Sequence, residues 1–341
     1  MTAHDVVGRV RRLSGERQVG HAGTLDPMAH GVLPIAVGRA CRLLRFLPDD
    51  KVYLANILFG QKTDTDDIEG AVIARSDYLP QADEIRKALY KFSGKIEQLP
   101  PLYSAVHVDG RRLYELARRG EVVAEIPIRH VEVFSIEQLS YTLSELSVES
   151  AHTDDANSAS TIAESVKADS VTSAYSVANL ELRIHCSSGT YIRSIARDLG
   201  EALGSAACLA GLKRERAGLF EIEKSYSLEQ LSELAAENKF ASVLEPVEQR
   251  LPQPRISITA EQAKRLTFGQ RLNVKSDEIN NTATALSAIH KNADALSGYV
   301  LAIFQERLVA VCSIVDDPSG ANADSLVELK PEVVLSDGNA V

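Results

Sequence analysis

Residues 20–40 read GHAGTLDPMAHGVLPIAVGRA, and this stretch decides how the rest of the chain is interpreted. It contains four glycines, two prolines and two histidines, whereas its one acidic side chain is Asp26. Glycine adopts backbone conformations that other residues avoid, and proline fixes the φ angle. The stretch therefore predicts a tightly shaped loop that presents one carboxylate and then runs into an apolar strand.

The local sequence leaves two interpretations of Asp26 open. An Asp-Pro pair is common in turns, so Asp26 and Pro27 fit an ordinary turn. A carboxylate held on a shaped loop also fits a nucleophile or a general base. In that role it needs a cation that keeps it ionised when substrate excludes water, and a flat side chain that holds the substrate.

Two distant residues are candidates for these parts. Arg193 follows the turn at residues 187–190 and lies at the start of a predicted helix, so it is a candidate counter-ion. Tyr53 enters an apolar strand and is a candidate platform for the substrate. Taken alone, Arg193 fits a surface or capping side chain better, and Tyr53 fits the core better.

Metal and nucleotide sites have little support in the motifs. The glycines and prolines between His21, Asp26 and His30 prevent the i, i+4 helical spacing that metal sites often use. The sequence contains neither G-x-x-x-x-G-K-[ST] nor G-x-G-x-x-G, so it shows no cradle for a nucleotide cofactor.

Composition indicates a globular protein in a reducing compartment. The 341 residues are 45% hydrophobic, which is enough for two domains or for one large domain with an appendage. No apolar run approaches the roughly 20 residues that span a bilayer, and we expect no signal peptide. The four cysteines are scattered and form no C-x-x-C pair, which favours a cytoplasmic location.

The net charge of −10 is unevenly distributed. Residues 140–179 contain six acids and one lysine, and residues 275–341 contain ten acids and four bases. The remainder carries 32 bases and 31 acids, and its bases form clusters such as Lys213, Arg214 and Arg216. Such clusters either contact phosphates or are ordinary solvated surface.

Periodicity predicts a mixture of helices and strands without a regular βαβ alternation, which indicates the α+β class. Helices are predicted at residues 4–13, 82–92, 113–119 and 191–203, and strands at 53–59, 126–139 and 180–185. Residues 140–177 are rich in Ser, Ala, Thr and Asp, so we expect a flexible acidic insertion there. A Pro-rich linker at residues 246–254 divides the chain into residues 1–250 and a small β-rich domain at residues 251–341.

Several long segments together resemble the TruB-type tRNA pseudouridine synthases. The stretch at residues 20–40 is similar to the family's signature loop, with Asp26 at the position of the catalytic aspartate. The other similar segments are KVYLANILFGQKTDTDDIEG (51–70), QLPPLYSAVHVDGRRLYELARRG (98–120), HCSSGTYIRSIARDLGEALG (185–204) and LAGLKRERAG (209–218). The resemblance covers residues 2–225 apart from the insertion, and residues 251–341 resemble a PUA-like domain.

The resemblance implies a pseudouridine synthase fold, in which helices flank a mixed, mostly antiparallel sheet. It implies that the chain isomerises uridine to pseudouridine at position 55 of tRNA, in the T-arm loop, on a flipped-out base. Asp26 is then the catalytic residue, and the substrate-binding residues are His21, Tyr53, Arg193 and Leu212. Arg193 pairs with Asp26, His21 fills the place of the flipped base, and Leu212 lines the pocket. Tyr53 stacks on the uracil and is also a candidate acceptor of the C5 proton.

The resemblance further implies no metal or other cofactor, no membrane association and a monomer that binds tRNA. The family's first motif begins with a strand and a Lys-Pro pair, whereas this chain begins near the end of that motif. Either the native start lies upstream or an edge strand is lacking. A tRNA-binding or tRNA-folding chaperone of the same fold, with weak or no catalysis, is the alternative function.

Overall fold

The computed structural model describes residues 1–108, 110–121, 125–148, 173–280, 298–315 and 326–335. The chain divides into two compact units. The first unit comprises Met1–Tyr53, Cys186–Ser188 and Lys213–Val341, and the second comprises Leu54–His185 and Gly189–Leu212. The unit boundaries fall inside three strands, so each of these strands contributes residues to both units.

The first four helices of the described residues begin and end close to the predicted positions: α1 (Ala3–Ser14), α2 (Ala82–Leu89), α3 (Leu113–Arg118) and α4 (Ile192–Ala202). Two more helices follow, α5 (Leu228–Ala236) and α6 (Ala260–Thr267). Local signals set these limits: the Thr2 side chain accepts from the Asp5 N–H at the start of α1, and Gly15 ends α1 with φ +70°. The predicted helix at 82–92 is α2 followed by a 3-10 turn at Tyr90–Phe92.

Nineteen strands lie in the described ranges, and most are short. In chain order they are β1 (Val19–His21), β2 (His30–Gly31), β3 (Ile35–Val37), β4 (Lys51–Phe59), β5 (Gln61–Thr63), β6 (Val72–Arg75), β7 (Gly94–Gln98), β8 (His107–Val108), β9 (Arg111–Arg112), β10 (Arg129–Val148), β11 (Ser173–Cys186), β12 (Ala207–Ala217), β13 (Phe220–Glu221), β14 (Arg255–Ser257), β15 (Leu272–Lys275), β16 (Ile279–Asn280), β17 (Tyr299–Phe304), β18 (Arg307–Ile314) and β19 (Leu326–Val334).

Two larger sheets organise these strands. One has the order β13-β12-β4-β11-β10-β7, and β2 joins it by pairing in parallel with β12. The other has the order β15-β19-β18-β17-β14-β16 and is antiparallel except between β14 and β17. The predicted α+β class, with a β-rich C-terminal part, is confirmed.

The six-stranded sheet has its own core and a second apolar contact within the first unit. Its inner residues pack on Ala263 and Leu266 of α6. Leu301 and Val311 of the same sheet pack instead against Leu43, in the 3-10 helix at Gly38–Phe46. The C-terminal strands therefore share a buried cluster with the N-terminal segment, and the boundary at residue 250 stays a prediction.

The ends of the predicted insertion are strands, so the expectation of a flexible segment over all of residues 140–177 is wrong at both ends. β10 continues to Val148, and β11 begins at Ser173. β10 and β11 are hydrogen-bonded neighbours in the sheet, and side chains add further bonds: Tyr141 donates to Pro80 O, Asn179 donates to Ser144 Oγ at 3.1 Å, and Tyr175 donates to Gln61 at 2.9 Å. Residues 149–172 lie outside the described residues.

The described residues contain no helix that is both long enough and apolar enough to span a bilayer.

Candidate active site

Asp26 lies in the loop that joins β1 to β3, and main-chain hydrogen bonds close this loop at its base and its tip. Ala22 N–H donates to Pro34 O at 3.0 Å, which joins the two arms of the loop. Ala29 N–H donates to Asp26 O at 2.9 Å and closes a turn over Pro27 and Met28. The expected shaped loop is therefore present, and it holds Asp26 half-buried near its tip.

The returning arm of the loop, in β2, lies directly on strand β12. Val32 N–H donates to Arg214 O at 2.9 Å, and Gly31 pairs with Arg214 in parallel register. A Cβ atom on Gly31 would lie 2.2 Å from Arg214 O, and the φ of Gly31 is +113°. Only glycine permits this approach of the two main chains.

The Arg214 side chain is fully buried beneath the loop. Its guanidinium donates to Val32 O at 2.7 Å, to Gly23 O at 3.2 Å and to Thr24 O at 3.3 Å. The expectation that Arg214 is part of a solvent-facing basic cluster is therefore wrong. Arg216, from the same cluster, pairs with the buried carboxylate of Asp50 at 2.9 Å.

Tyr53 lies in β4, is 8% exposed, and belongs to the same unit as Asp26. Burial raises the pKa of its phenol, while the charge of Arg214 and a side-chain hydrogen bond from it lower the pKa. The negative charge of Asp26 also contributes to raising the pKa of Tyr53, so the two side chains are near enough to interact. The first unit thus brings together the predicted carboxylate and the predicted platform.

His21 ends β1 at the start of the loop and pairs with Ile35 across β3. Its ring is half-buried, and its Nδ1 atom is buried without a hydrogen-bond partner among the residues that the structure describes. A buried ring nitrogen without a partner is unfavourable unless a ligand or water completes it. His21 therefore offers one polar atom to a bound group.

A cavity of about 760 Å³ borders the loop within the first unit. Its walls are largely apolar and include Leu25, Val32, Leu228 and Phe240, and Asp26 is among the residues that line it. The loop is therefore not sealed by protein on this side.

Arg193, the predicted counter-ion, is placed by the second unit, near the start of α4. The side chain is 6% exposed and donates to Thr65 O at 3.2 Å and to Tyr103 O at 3.1 Å. It also forms an ion pair with Asp67, with an N–O distance of 3.5 Å. Arg193 is thus a buried and firmly held cation; its pairing with Asp26 stays a prediction.

Leu212 is the last residue of the second unit and is buried in β12. Strand alternation places Leu212 and Arg214 on the same face of β12. That alternation is the signal by which sequence reasoning could have found Arg214. The role of Leu212 as part of the substrate pocket stays a prediction.

Gln98 is a further residue that the sequence did not single out, and it fixes the start of α4. Its buried amide accepts from Tyr191 N–H at 2.9 Å and donates to Tyr191 O at 3.2 Å. No local pattern marks it, because both of its partners are main-chain atoms distant in sequence.

Sequence comparison gives two family matches. Residues 11–158 match the TruB family pseudouridylate synthase (N terminal domain), and residues 193–252 match the tRNA pseudouridylate synthase B C-terminal domain. A protein named tRNA pseudouridine synthase B from Acaryochloris marina is 42% identical over 299 residues, which cover 87% of this chain and 90% of that protein. One of the same name from Gloeobacter violaceus is 45% identical over 229 residues, 67% of this chain and 68% of that protein.

Solved structures show the same fold. A crystal structure of a Cbf5-Nop10-Gar1 complex matches with a TM-score of 0.64 at 21% identity, covering 99% of this chain and 83% of that one. An H/ACA RNP bound to a substrate RNA containing 2′-deoxyuridine matches with a TM-score of 0.63 at 20% identity, with the same coverage. The fold is thus that of Cbf5. The proteins named tRNA pseudouridine synthase B have a higher sequence identity to this chain than these solved structures have. With two matching family regions and relatives about 40% identical over most of its length, the chain belongs to the TruB family of pseudouridine synthases.

Proposed function

We infer that this chain isomerises uridine to pseudouridine in tRNA, at position 55 in the T-arm loop, with Asp26 as the catalytic carboxylate. The observation that carries this proposal is the Asp26 loop itself. Its two arms are anchored on a buried arginine, and its carboxylate lies near a buried tyrosine. The relatives named tRNA pseudouridine synthase B supply the substrate class.

The reaction is balanced without an oxidant or a reductant. The N1–C1′ bond of the uridine breaks, the base rotates, and a C5–C1′ bond forms. The hydrogen on C5 leaves as a proton, and N1 ends with a proton from solvent. In this scheme Asp26 either attacks the ribose or abstracts a ribose proton, and both roles need it ionised.

Tyr53 suits a stacking role. Because burial raises the pKa of its phenol, the side chain is protonated at neutral pH. A neutral aromatic ring stacks on the face of a uracil. Accepting the C5 proton would first require Tyr53 to lose its own proton, so stacking is the role that its resting state supports.

The other predicted residues complete the proposal. His21 occupies the space left by the flipped base and uses its buried Nδ1 atom as a polar contact. Arg193 keeps Asp26 ionised, and Leu212 lines the pocket. The enzyme acts as a monomer. Its four free cysteines favour a reducing compartment such as the cytoplasm.

The test compares the wild-type protein with Asp26→Asn and with Asp49→Asn, a control at an exposed carboxylate outside the loop. Tritium release from tRNA labelled at uridine C5 measures the reaction, and filter binding measures affinity. We expect Asp26→Asn to lose at least about 10³-fold in single-turnover rate and to keep tRNA affinity within threefold. Near-wild-type turnover by Asp26→Asn would contradict its catalytic role.

Two further outcomes decide between substrates and between functions. A T-arm stem-loop with cytidine at position 55 should release no tritium, and mapping of pseudouridine in cells that lack the gene should show loss at that position. Tight tRNA binding without product, even with stoichiometric wild-type protein, would favour the chaperone.

A further inference from the structure

We propose that Arg214 is a positioning residue, whose buried guanidinium fixes both arms of the loop at residues 22–34 and thereby places Asp26. This inference rests on the proposed role of Asp26. It assigns Arg214 no contact with the substrate.

Complete burial of Arg214 is the first step in the argument. Its side chain is 0% exposed and is the largest fully buried side chain of the described residues. Burial of a charge is costly unless the charge is well hydrogen-bonded. Within the described ranges Arg214 forms no ion pair with a carboxylate, and main-chain carbonyl oxygens solvate its charge instead.

The position of those carbonyls is the second step. Gly23 O and Thr24 O belong to the outgoing arm of the loop, and Val32 O belongs to the returning arm. Asp26 lies between these arms, two residues beyond Thr24. One planar guanidinium therefore joins the two arms on either side of the carboxylate. A lysine ammonium lacks the planar fork that spans such separated acceptors.

The main chain and a neighbouring side chain give the third step. Arg214 O accepts from Val32 N–H at 2.9 Å, so the same residue holds the returning arm through its backbone as well. The charge of Arg214 also lowers the pKa of Tyr53, so its guanidinium lies close to that ring. Arg214 thus contacts the loop that carries Asp26 and lies near the proposed stacking residue.

The test uses the full-length protein with Arg214→Lys, which keeps the charge and removes the fork. The matched control is Arg216→Lys, on the same strand, where the arginine pairs with Asp50 and donates to Gly218 O at 2.9 Å. Three quantities are measured: single-turnover rate at saturating tRNA, tRNA affinity, and deuterium uptake of residues 22–34. A displacement of about 1 Å at a reacting group costs on the order of 100-fold in rate.

We expect Arg214→Lys to lose about 100-fold in rate, to keep tRNA affinity within threefold, and to increase deuterium uptake in residues 22–34. Arg216→Lys should keep the wild-type rate and the wild-type uptake. Gly23→Ala disturbs the outgoing arm while Arg214 stays in place, because the glycine has φ +88°. It should also lose rate with little change in affinity.

Some results would overturn the proposal. Arg214→Lys with wild-type rate and wild-type uptake would show that the loop does not depend on the fork. Failure of Arg214→Lys to fold, together with a wild-type rate for Gly23→Ala, would assign Arg214 to fold stability alone. Deuterium uptake needs no turnover, so an inactive wild-type protein would contradict the proposed function and leave this test intact.

Discussion

The contact between Gly31 and strand β12 permits a quantitative prediction for Gly31→Ala. A Cβ atom there would lie 2.2 Å from Arg214 O, whereas Cβ contacts under 3.0 Å are essentially absent in proteins. The two main chains must therefore separate by at least 0.8 Å, the difference between these distances. The φ of +113° is in addition outside the left-handed well that alanine tolerates.

The cost has two parts. Alanine in a sparsely populated backbone region costs about 1–3 kcal/mol. Separation of the chains breaks the hydrogen bond from Val32 N–H to Arg214 O, and leaving such buried groups unpaired costs a further 1–3 kcal/mol or so. We expect Gly31→Ala to lower the free energy of unfolding by about 2–6 kcal/mol, a large part of the roughly 5–15 kcal/mol of a typical protein.

Gly15→Ala is the matched control. Gly15 also has a positive φ, +70°, but nothing lies within 4 Å of its Cβ position. It should cost only the backbone preference, about 1–2 kcal/mol, and leave activity unchanged. Urea unfolding followed by far-ultraviolet circular dichroism measures both variants, and single-turnover assays measure their rates.

Equal losses of stability in Gly31→Ala and Gly15→Ala would refute the close approach of β2 to β12. A large loss of stability in Gly31→Ala with an unchanged rate would refute the link between this contact and Asp26. A loss of rate in Gly31→Ala, together with a loss of stability clearly larger than that of Gly15→Ala, would support the link between this contact and Asp26.

Three other predictions concern the rest of the fold. Gln98→Leu leaves Tyr191 N–H and O unpaired and should cost about 2–4 kcal/mol, measured by thermal unfolding, with Gln18→Leu as an exposed control. Hydrogen bonds from Gln81 N–H and from the Tyr78 hydroxyl lower the pKa of Glu84 below 4.5, so its contribution to stability is present above pH 4.5 and is lost as the pH falls through its lowered pKa. The stability difference between wild type and Glu84→Gln should therefore vanish in acid, and a constant difference would contradict this. Replacing residues 149–172 with a short Gly-Ser linker should preserve the rate, because β10 and β11 remain, whereas deleting 140–177 removes the Tyr141 and Tyr175 hydrogen bonds and should destabilise the protein.

Helices were predictable because their signals are local. Thr2 and Gly15 mark the two ends of α1, and its apolar Val7 and Val10 share one face and pack on Val19. The strand extensions at residues 140–148 and 173–177 were missed because their composition is polar. They form because β10 and β11 are hydrogen-bonded neighbours in the sheet, and side-chain hydrogen bonds to distant residues such as Pro80 and Gln61 add to this. Composition reveals neither kind of partner.

In the candidate site, too, some residues were predictable from the sequence and others were not. Asp26, His21 and Tyr53 were recognisable because each belongs to a long segment similar to one family. Asp67 and Thr65 were not recognisable as partners of Arg193. The Asp67 carboxylate and the Thr65 carbonyl oxygen become its neighbours only in the folded unit.

Arg214 shows most clearly what a single sequence can reveal and what it cannot. The alternation of β12 places it on the buried face beside Leu212, so the sequence contains the information that this charge needs buried acceptors. The acceptors are main-chain carbonyl oxygens, one of them 190 residues away at Thr24. Every residue has a main-chain carbonyl, so the residue type does not show which carbonyl accepts. The sequence does show Gly31, which has to be glycine because a Cβ atom there would overlap Arg214 O. The loop glycines first indicated a tightly shaped loop. One of them, Gly31, also marks the position at which the loop packs on the main chain of Arg214.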